Sequence, residues 1–241
     1  MNILAIECST EVLSVAIYAN GEVRERVEEG GRRHGDRLLL LMSQVLDDVR
    51  LSRLDLDAVA FGRGPGAFTG VRMAVAAAQG IAYGLDIPAL PVSSLAALAQ
   101  EGFDRGAAPP LLALLDARMG EVYAGYFDVD EVGLVFAVEP ERLIPPEELE
   151  LPGDDVWCAL GPGYRAYRAG LQARFGYRMD CLERSSFPQA STVVRLAARD
   201  LRLGRSVSAS QAQPVYLRDK VAQTETERGV QRRGSVQPAP N

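Results

Sequence analysis

Twice in this 241-residue chain an apolar strand runs directly into a Gly-Pro-Gly corner and out into a helix: FGRGPGAF at residues 61–68 and ALGPGYRA at 159–166. Glycine at such a corner tolerates the backbone angles that a sharp strand-to-helix turn demands. What precedes the two corners is also alike. In the first half, the continuous apolar run at 2–6 predicts a buried central strand. A second strand follows at 13–18, and Asn20-Gly21 predicts a two-residue hairpin turn into a polar strand at 22–28. In the second half, strands are expected at 111–115, 121–129 and 132–139, and a further one at 156–160 leads into the second corner. Helical periodicity marks 33–50, 68–84, 164–175 and 191–203, and Ser93 is placed to cap a shorter helix ending near residue 100.

Two meanders, each followed by a strand, a glycine corner and a helix, predict an α/β protein of two tandem ribonuclease-H-like lobes, with mixed sheets flanked by helices. The shift to glycine, alanine and proline over 102–110 sets the boundary, giving lobes at 1–105 and 106–222. Residues 223–241 are polar and charged, and are expected to form a disordered tail.

Composition excludes several functions. A net charge of -6 is the wrong sign for a strongly electrostatic nucleic-acid binder. Cys8, Cys158 and Cys181 are odd in number and widely spaced, which suits reduced thiols. Glu7 interrupts the first apolar run, so it does not read as a secretion signal, and no uncharged run approaches the ~18 residues of a membrane span. A cytoplasmic protein without membrane contact is expected. His34 is the single histidine, so a Ser-His-Asp triad has one possible base and nothing in the spacing pairs it with a serine.

The remaining chemistry is that of phosphate. The loop at 62–66 is neither Gly-x-Gly-x-x-Gly nor a P-loop, and no lysine stands near it. Arg63 and Arg72 are the cations at hand. Glu7, Ser9 and Thr10, ending the first strand, have the oxygens to hold a metal-bound triphosphate. They are equally suited to satisfying turn backbone groups, and the glycines to making a tight corner. On spacing alone, Glu7, Thr10, Gly64 and Gly66 are therefore candidate nucleotide residues with a structural alternative.

Three separated stretches carry a family resemblance: GRGPGAFTGVR, DARMGEVYAGYF at 116–127 and PVYLRDKVA at 214–222. Together they resemble the bacterial TsaB (YeaZ) family, over residues 1 to about 222. The resemblance implies an actin-like ATPase fold and a part in making N6-threonylcarbamoyladenosine at position 37 of tRNAs that read codons beginning with A. It implies TsaD as main partner and TsaE as a second. tRNA would be met indirectly through the complex, the donor would come from TsaC, and ATP and metal would sit on partner subunits. The TsaD paralogue places a metal-binding His-x-x-x-His pair on a helix after the glycine corner, and the matching positions here are Ser94 and Leu98. Many relatives have Asp where this chain has Glu7. The expectation is a subunit with no catalytic residue, metal site or cofactor of its own. The rival expectation is an actin-fold phosphotransferase using Glu7, Thr10 and the 62–66 loop.

Relatives pair through the first two helices of the N-terminal lobe, with TsaD and with themselves. Here the first helix has a broad apolar stripe through Leu38, Leu39, Leu41, Met42, Val45, Leu46 and Val49, with Leu40 outside it. On the second, Gly70, Ala74, Ala77 and Ile81 form the inner line, opposite an outward line low in charge. The expected interface is Leu41 at its edge with Arg72, Ala76, Gln79, Gly80 and Tyr83.

Overall fold

The computed structural model describes residues 1–30, 34–181 and 187–218. The expected disordered tail at 223–241 lies outside the described residues. The chain opens with β1 (Ile3–Glu7), β2 (Val12–Ala19) and β3 (Glu22–Glu29), an antiparallel meander. Its second turn is made by Asn20 and Gly21 at φ 54° and 83°, the left-handed pair that the Asn-Gly dipeptide tolerates. Then come α1 (His34–Asp48), β4 (Ala58–Gly62), α2 (Phe68–Leu85), β5 (Ala89–Val92) and α3 (Ser94–Asp104). Ser93 caps α3, its Oγ accepting from the Leu95 and Ala96 N–H groups at 3.1 and 3.2 Å. The sheet order is β3-β2-β1-β4-β5, with β4 parallel to both β1 and β5.

The second half repeats the plan. β6 (Leu111–Arg118) and β7 (Glu121–Val129) are antiparallel, and β8 (Val135–Ala137) and β9 (Arg142–Ile144) both pair with β7. β10 (Trp157–Leu160) lies parallel to β6, α4 (Pro162–Phe175) follows the glycine corner, and β11 (Met179–Cys181) adds the edge. Read from the other edge, β8-β7-β6-β10-β11 matches the five strands of the first sheet in order and sense, and β9 is an added sixth strand on β7. The duplicated α/β core expected from the two corners is therefore the observed fold.

The strand expected over 132–139 is shorter. Asp130 Oδ1 accepts from the Val132 and Leu134 N–H groups at 3.0 and 2.8 Å, closing a loop that delays β8 to Val135. β9 and β11 span three residues each, too few to show a period in the sequence.

α3 and α5 (Ala190–Arg202) lie between the two sheets; α1 and α2 cover the outer face of the first, and α4 that of the second. Alternation along the strands sorts the core accordingly. Ile3, Ala5, Ala58 and Ala60 face inward, toward Leu95, Leu98 and Val193, while Leu4, Ile6, Val59 and Phe61 face α1 and α2. On the second sheet Leu111, Ala113 and Leu115 face inward, and Leu112 and Leu114 face α4. Alanine dominates the inner face of the first sheet because a helix must fit between two sheets at close range.

α5 belongs in space to the first lobe. It packs on β1 through β5, and its free first-turn N–H groups are met by first-lobe side chains. The Ala190 N–H donates to Ser14 Oγ and the Ser191 N–H to Glu25 Oε1, both at 2.8 Å. A sequence boundary near residue 105 thus separates the sheets but not the helices, because the chain returns to the first sheet after residue 189.

Candidate functional site

Both glycine corners and both hairpin turns after β1 and β6 open on one cleft between the lobes, of about 620 Å³. Its first-lobe wall is Ser9, Thr10, Gly66 and Phe68; its second-lobe wall is Asp116 to Met119 and Pro162. Residues 215–218 line it as well. A cleft beyond the carboxyl ends of central parallel strands is where α/β folds place ligands.

The residues expected to hold a nucleotide divide. Thr10 and Gly66 are on the cleft wall, whereas Glu7 and Gly64 are not among its lining. Glu7 is fully buried. Its Oε1 accepts from the Ser9 N–H at 2.5 Å and its Oε2 from Ser94 Oγ at 2.9 Å, so it ties the end of β1 to the start of α3. A Cβ on Gly62 would stand 1.9 Å from Glu7 Oε2, so Gly62 makes the room that this longer acid occupies. Thr10 Oγ1 accepts from the Val12 N–H at 3.3 Å, an ordinary turn bond.

The 62–66 loop is consumed internally in the same way. The Arg63 N–H donates to Val92 O at 2.8 Å, Arg63 O accepts from the Val215 N–H at 2.8 Å, and Gly64 O accepts from the Ser94 N–H at 3.0 Å. The φ of +88° at Gly64 suits glycine, and a Cβ on Gly66 would meet Ser9 O at 2.4 Å. Of the two cations, Arg63 faces Glu141 at 4.0 Å, and Arg72 stacks 3.6 Å over Phe68 while its Nε donates to Tyr216 Oη at 2.6 Å. Ser94 and Leu98, matched to the paralogue's histidine pair, are respectively a hydrogen-bond donor to Glu7 and a fully buried member of the core between the sheets. Among the described residues no group of three or more His, Cys, Asp or Glu side chains is arranged to hold a metal ion.

Burial raises the Glu7 carboxyl above its ordinary value of 4.5, and the hydrogen bonds from Ser9 and Ser94 offset only part of that. A carboxyl with a raised folded pKa contributes stability that is complete below about 4.5 and is lost as pH rises through the folded value. Glu7→Gln keeps an acceptor for Ser9 and a partner for Ser94 while removing the titration. Its melting temperature relative to the parent is expected to climb as pH rises from 4.5 toward 8. Thermal melts giving parallel pH profiles for the two proteins would contradict this.

Comparison with known proteins falls on the same architecture. The family model described as "TsaD: tRNA N6-adenosine threonylcarbamoyltransferase" matches residues 25–226. The tRNA threonylcarbamoyladenosine biosynthesis protein TsaB of Escherichia coli K12 is 36% identical over 232 residues, covering 92% of this chain and 96% of that protein. Its Haemophilus influenzae counterpart is 34% identical over 230 residues, covering 92% and 95%. The chain belongs to the TsaB (YeaZ) family. Among solved structures, YeaZ from Pseudomonas aeruginosa superposes with a TM-score of 0.82 at 38% identity, covering 90% of this chain and 99% of that one.

The expected interface residues separate as well. Leu41 is 4% exposed and packs in the core under α1, so it is withdrawn as a contact residue. Leu39, read as part of the apolar stripe, is instead 71% exposed, with Leu40 beside it at 41%. On α2 the buried face is Gly70, Val71, Ala74, Val75, Ala78 and Ala82, while Ala77 and Ile81 are half-buried at its margin. Arg72, Ala76, Gly80 and Tyr83 are exposed, as an outward line requires, and Gln79 is half-buried. Gln79 Nε2 donates to Ala212 O at 2.7 Å, so Gln79 and Arg72 both hold the chain's own C-terminal segment. That segment was visible in the sequence only as the PVYLRDKVA stretch, whose described side-chain partners lie about a hundred residues or more away. No described helix is long and apolar enough to cross a membrane.

Proposed function

We propose that this protein is the non-catalytic subunit of a complex that transfers a threonylcarbamoyl group to adenosine 37 of tRNAs reading codons that begin with A. It acts in the cytoplasm, binds and supports TsaD and helps to recruit TsaE. ATP, metal and the chemistry reside on those partners, and tRNA is met through the complex. The observation that carries this reading is the burial of Glu7. The one carboxylate at the end of β1 is spent on Ser9 and Ser94, inside the protein and away from the cleft. An acid in that setting is a tether, and octahedral Mg²⁺ needs carboxylates at the surface of a ligand cavity.

What the protein offers to a partner is surface. The outward line of α2 combines Tyr83, 85% exposed, with Ala76 and Gly80, and Leu39 and Leu40 on α1 add apolar area. Aromatic side chains next to small residues suit a protein interface. The same face serves a second copy of this chain when no partner is present. An interface of ordinary size, on the order of 800 Å² per partner, is expected.

One feature favours the rival, an ATP-dependent phosphotransferase: α2 starts at the cleft with Ala67 as its N-cap and no capping side chain. Two measurements on the same preparation decide between them. The full chain is expected to co-purify with its TsaD counterpart and to hydrolyse no ATP alone. Mg²⁺-dependent hydrolysis by the isolated chain that is lost in Glu7→Gln would overturn the proposal and establish the rival. Failure to bind TsaD, without hydrolysis, would overturn the partner assignment alone.

A further inference from the structure

The lobes share a core at the base of the cleft, through α3 and α5. At its mouth they are joined differently. After α5 the chain runs along the first lobe as a strap interrupted by one 3-10 turn at Ala209–Gln211. Val207 and Ala89 exchange two backbone hydrogen bonds at 2.9 Å, Gln79 holds Ala212 O, the Val215 N–H donates to Arg63 O at 2.8 Å, and Tyr216 stacks with Phe68 and Arg72. The strap then leaves the first lobe, and Arg218 reaches the turn between β6 and β7. Its Nη2 donates to Ala117 O at 3.1 Å and pairs with Glu121 Oε2 at 2.7 Å, and its Nη1 lies 3.4 Å from Met119 Sδ.

The turn it grips is a strained one. Arg118, Met119 and Gly120 stand at φ 62°, 56° and 81°, and two successive non-glycine residues in the left-handed region persist only where their surroundings hold them. Asp116 supplies part of that hold, its Oδ1 accepting from the Arg118 N–H at 2.8 Å. Arg218, carried by the strap, adds its bonds to Ala117 O and Glu121 on either side of the turn. Its guanidinium is planar and presents several donors in a fixed fork, which lets one side chain engage a carbonyl and a carboxylate together. Its side chain is 16% exposed and that of Glu121 28%, so the pair is partly shielded from water.

We propose that residues 207–218 form a latch across the mouth of the interlobe cleft, with Arg218 as its catch on the β6–β7 turn. Among the described residues, the strap is seated on the first lobe by several independent bonds and tied to the second through Arg218. Release of Arg218 detaches the strap from the second lobe, relaxes the β6–β7 turn and opens the cleft without disturbing the shared core. The latch is a property of the isolated chain and does not depend on the partner assignment above.

Hydrogen exchange on the full chain tests it. In Arg218→Ala, the Val215 amide and the amides of residues 118–121 are expected to exchange at least tenfold faster, while those of β1, of residues 111–115 in β6 and of α3 stay as in the parent. Glu121→Gln keeps the bond to Ala117 O and is expected to give a smaller rise at the same places; Arg218→Lys keeps the charge without the fork and should do likewise. Unchanged exchange at Val215 and 118–121 in Arg218→Ala would overturn the latch. So would a rise spread evenly over the chain in all three variants, which would make Arg218 a residue of global stability.

Discussion

Gly70→Ala is expected to leave little folded protein. Gly70 sits in the first turn of α2, where the helix crosses the exit of β1, and a Cβ there would stand 1.8 Å from Cys8 O and 3.0 Å from Cys8 C. Both are backbone atoms of a fully buried residue, so no flexible side chain can turn aside. The neighbouring contact compounds the problem: the Ala67 N–H donates to Ser9 O at 2.7 Å, pinning the helix start to the same stretch of backbone. Admitting the methyl group means moving α2 off the sheet and breaking that bond. A cost of about 3 kcal/mol or more, the upper range for overpacking, is expected in denaturant unfolding. Gly80 is the internal comparison, being on the same helix with nothing within 4 Å of its missing Cβ. Gly80→Ala should gain roughly 0.5–1 kcal/mol from helix propensity. Equal stability of the two variants would show that the approach of α2 to β1 is not what the glycine serves.

Ala76→Arg is expected to abolish binding to TsaD and self-association while leaving the fold intact. Ala76 is exposed, one helical turn from both Arg72 and Gly80 in the outward line. A guanidinium there is hydrated in the free protein, so the melt should stay within about 0.5 kcal/mol of the parent. In a packed interface the same group must lose its water without a partner placed to receive it, a penalty of several kcal/mol. At ~1.4 kcal/mol per tenfold, affinity is expected to fall by more than about a hundredfold in a titration. Undiminished affinity would place the interface elsewhere. The test is sharper for the correction on α1, since Leu39, and not the buried Leu41, is the apolar side chain α1 presents beside this line.

What the sequence determined alone is what short-range physics decides. Continuous apolar runs marked the central strands β1, β4, β6 and β10, and Asn20-Gly21 could be read as a turn because few dipeptides accept two positive φ angles. Ser93 announced the start of α3, and the two glycine corners announced a duplicated lobe. Its inventory of chemical groups, with a single histidine and a glutamate closing the first apolar run, bears on function without any knowledge of the fold. The tertiary structure decided the rest. Leu38 to Met42 is an unbroken apolar run, so periodicity cannot say which leucine faces out. The rotation of α1 is set by its packing on the first sheet, which buries Leu38, Leu41, Val45 and Leu46, and the exposed ion pairs of Arg26 with Asp48 and Arg37 with Glu28 accompany it. The role of Glu7 was open for the same reason, since its partner Ser94 is 87 residues away and the space it fills is made by Gly62. α5 returns to the first lobe, where Val193, Val194, Leu196 and Ala197 are buried against the first sheet and Ser14 and Glu25 meet its free N–H groups. Arg218 finds its carbonyl 101 residues upstream. Spacing along a chain reports which side chains share a face of one element, whereas contacts between elements depend on how the chain closes in space, and no local period records that.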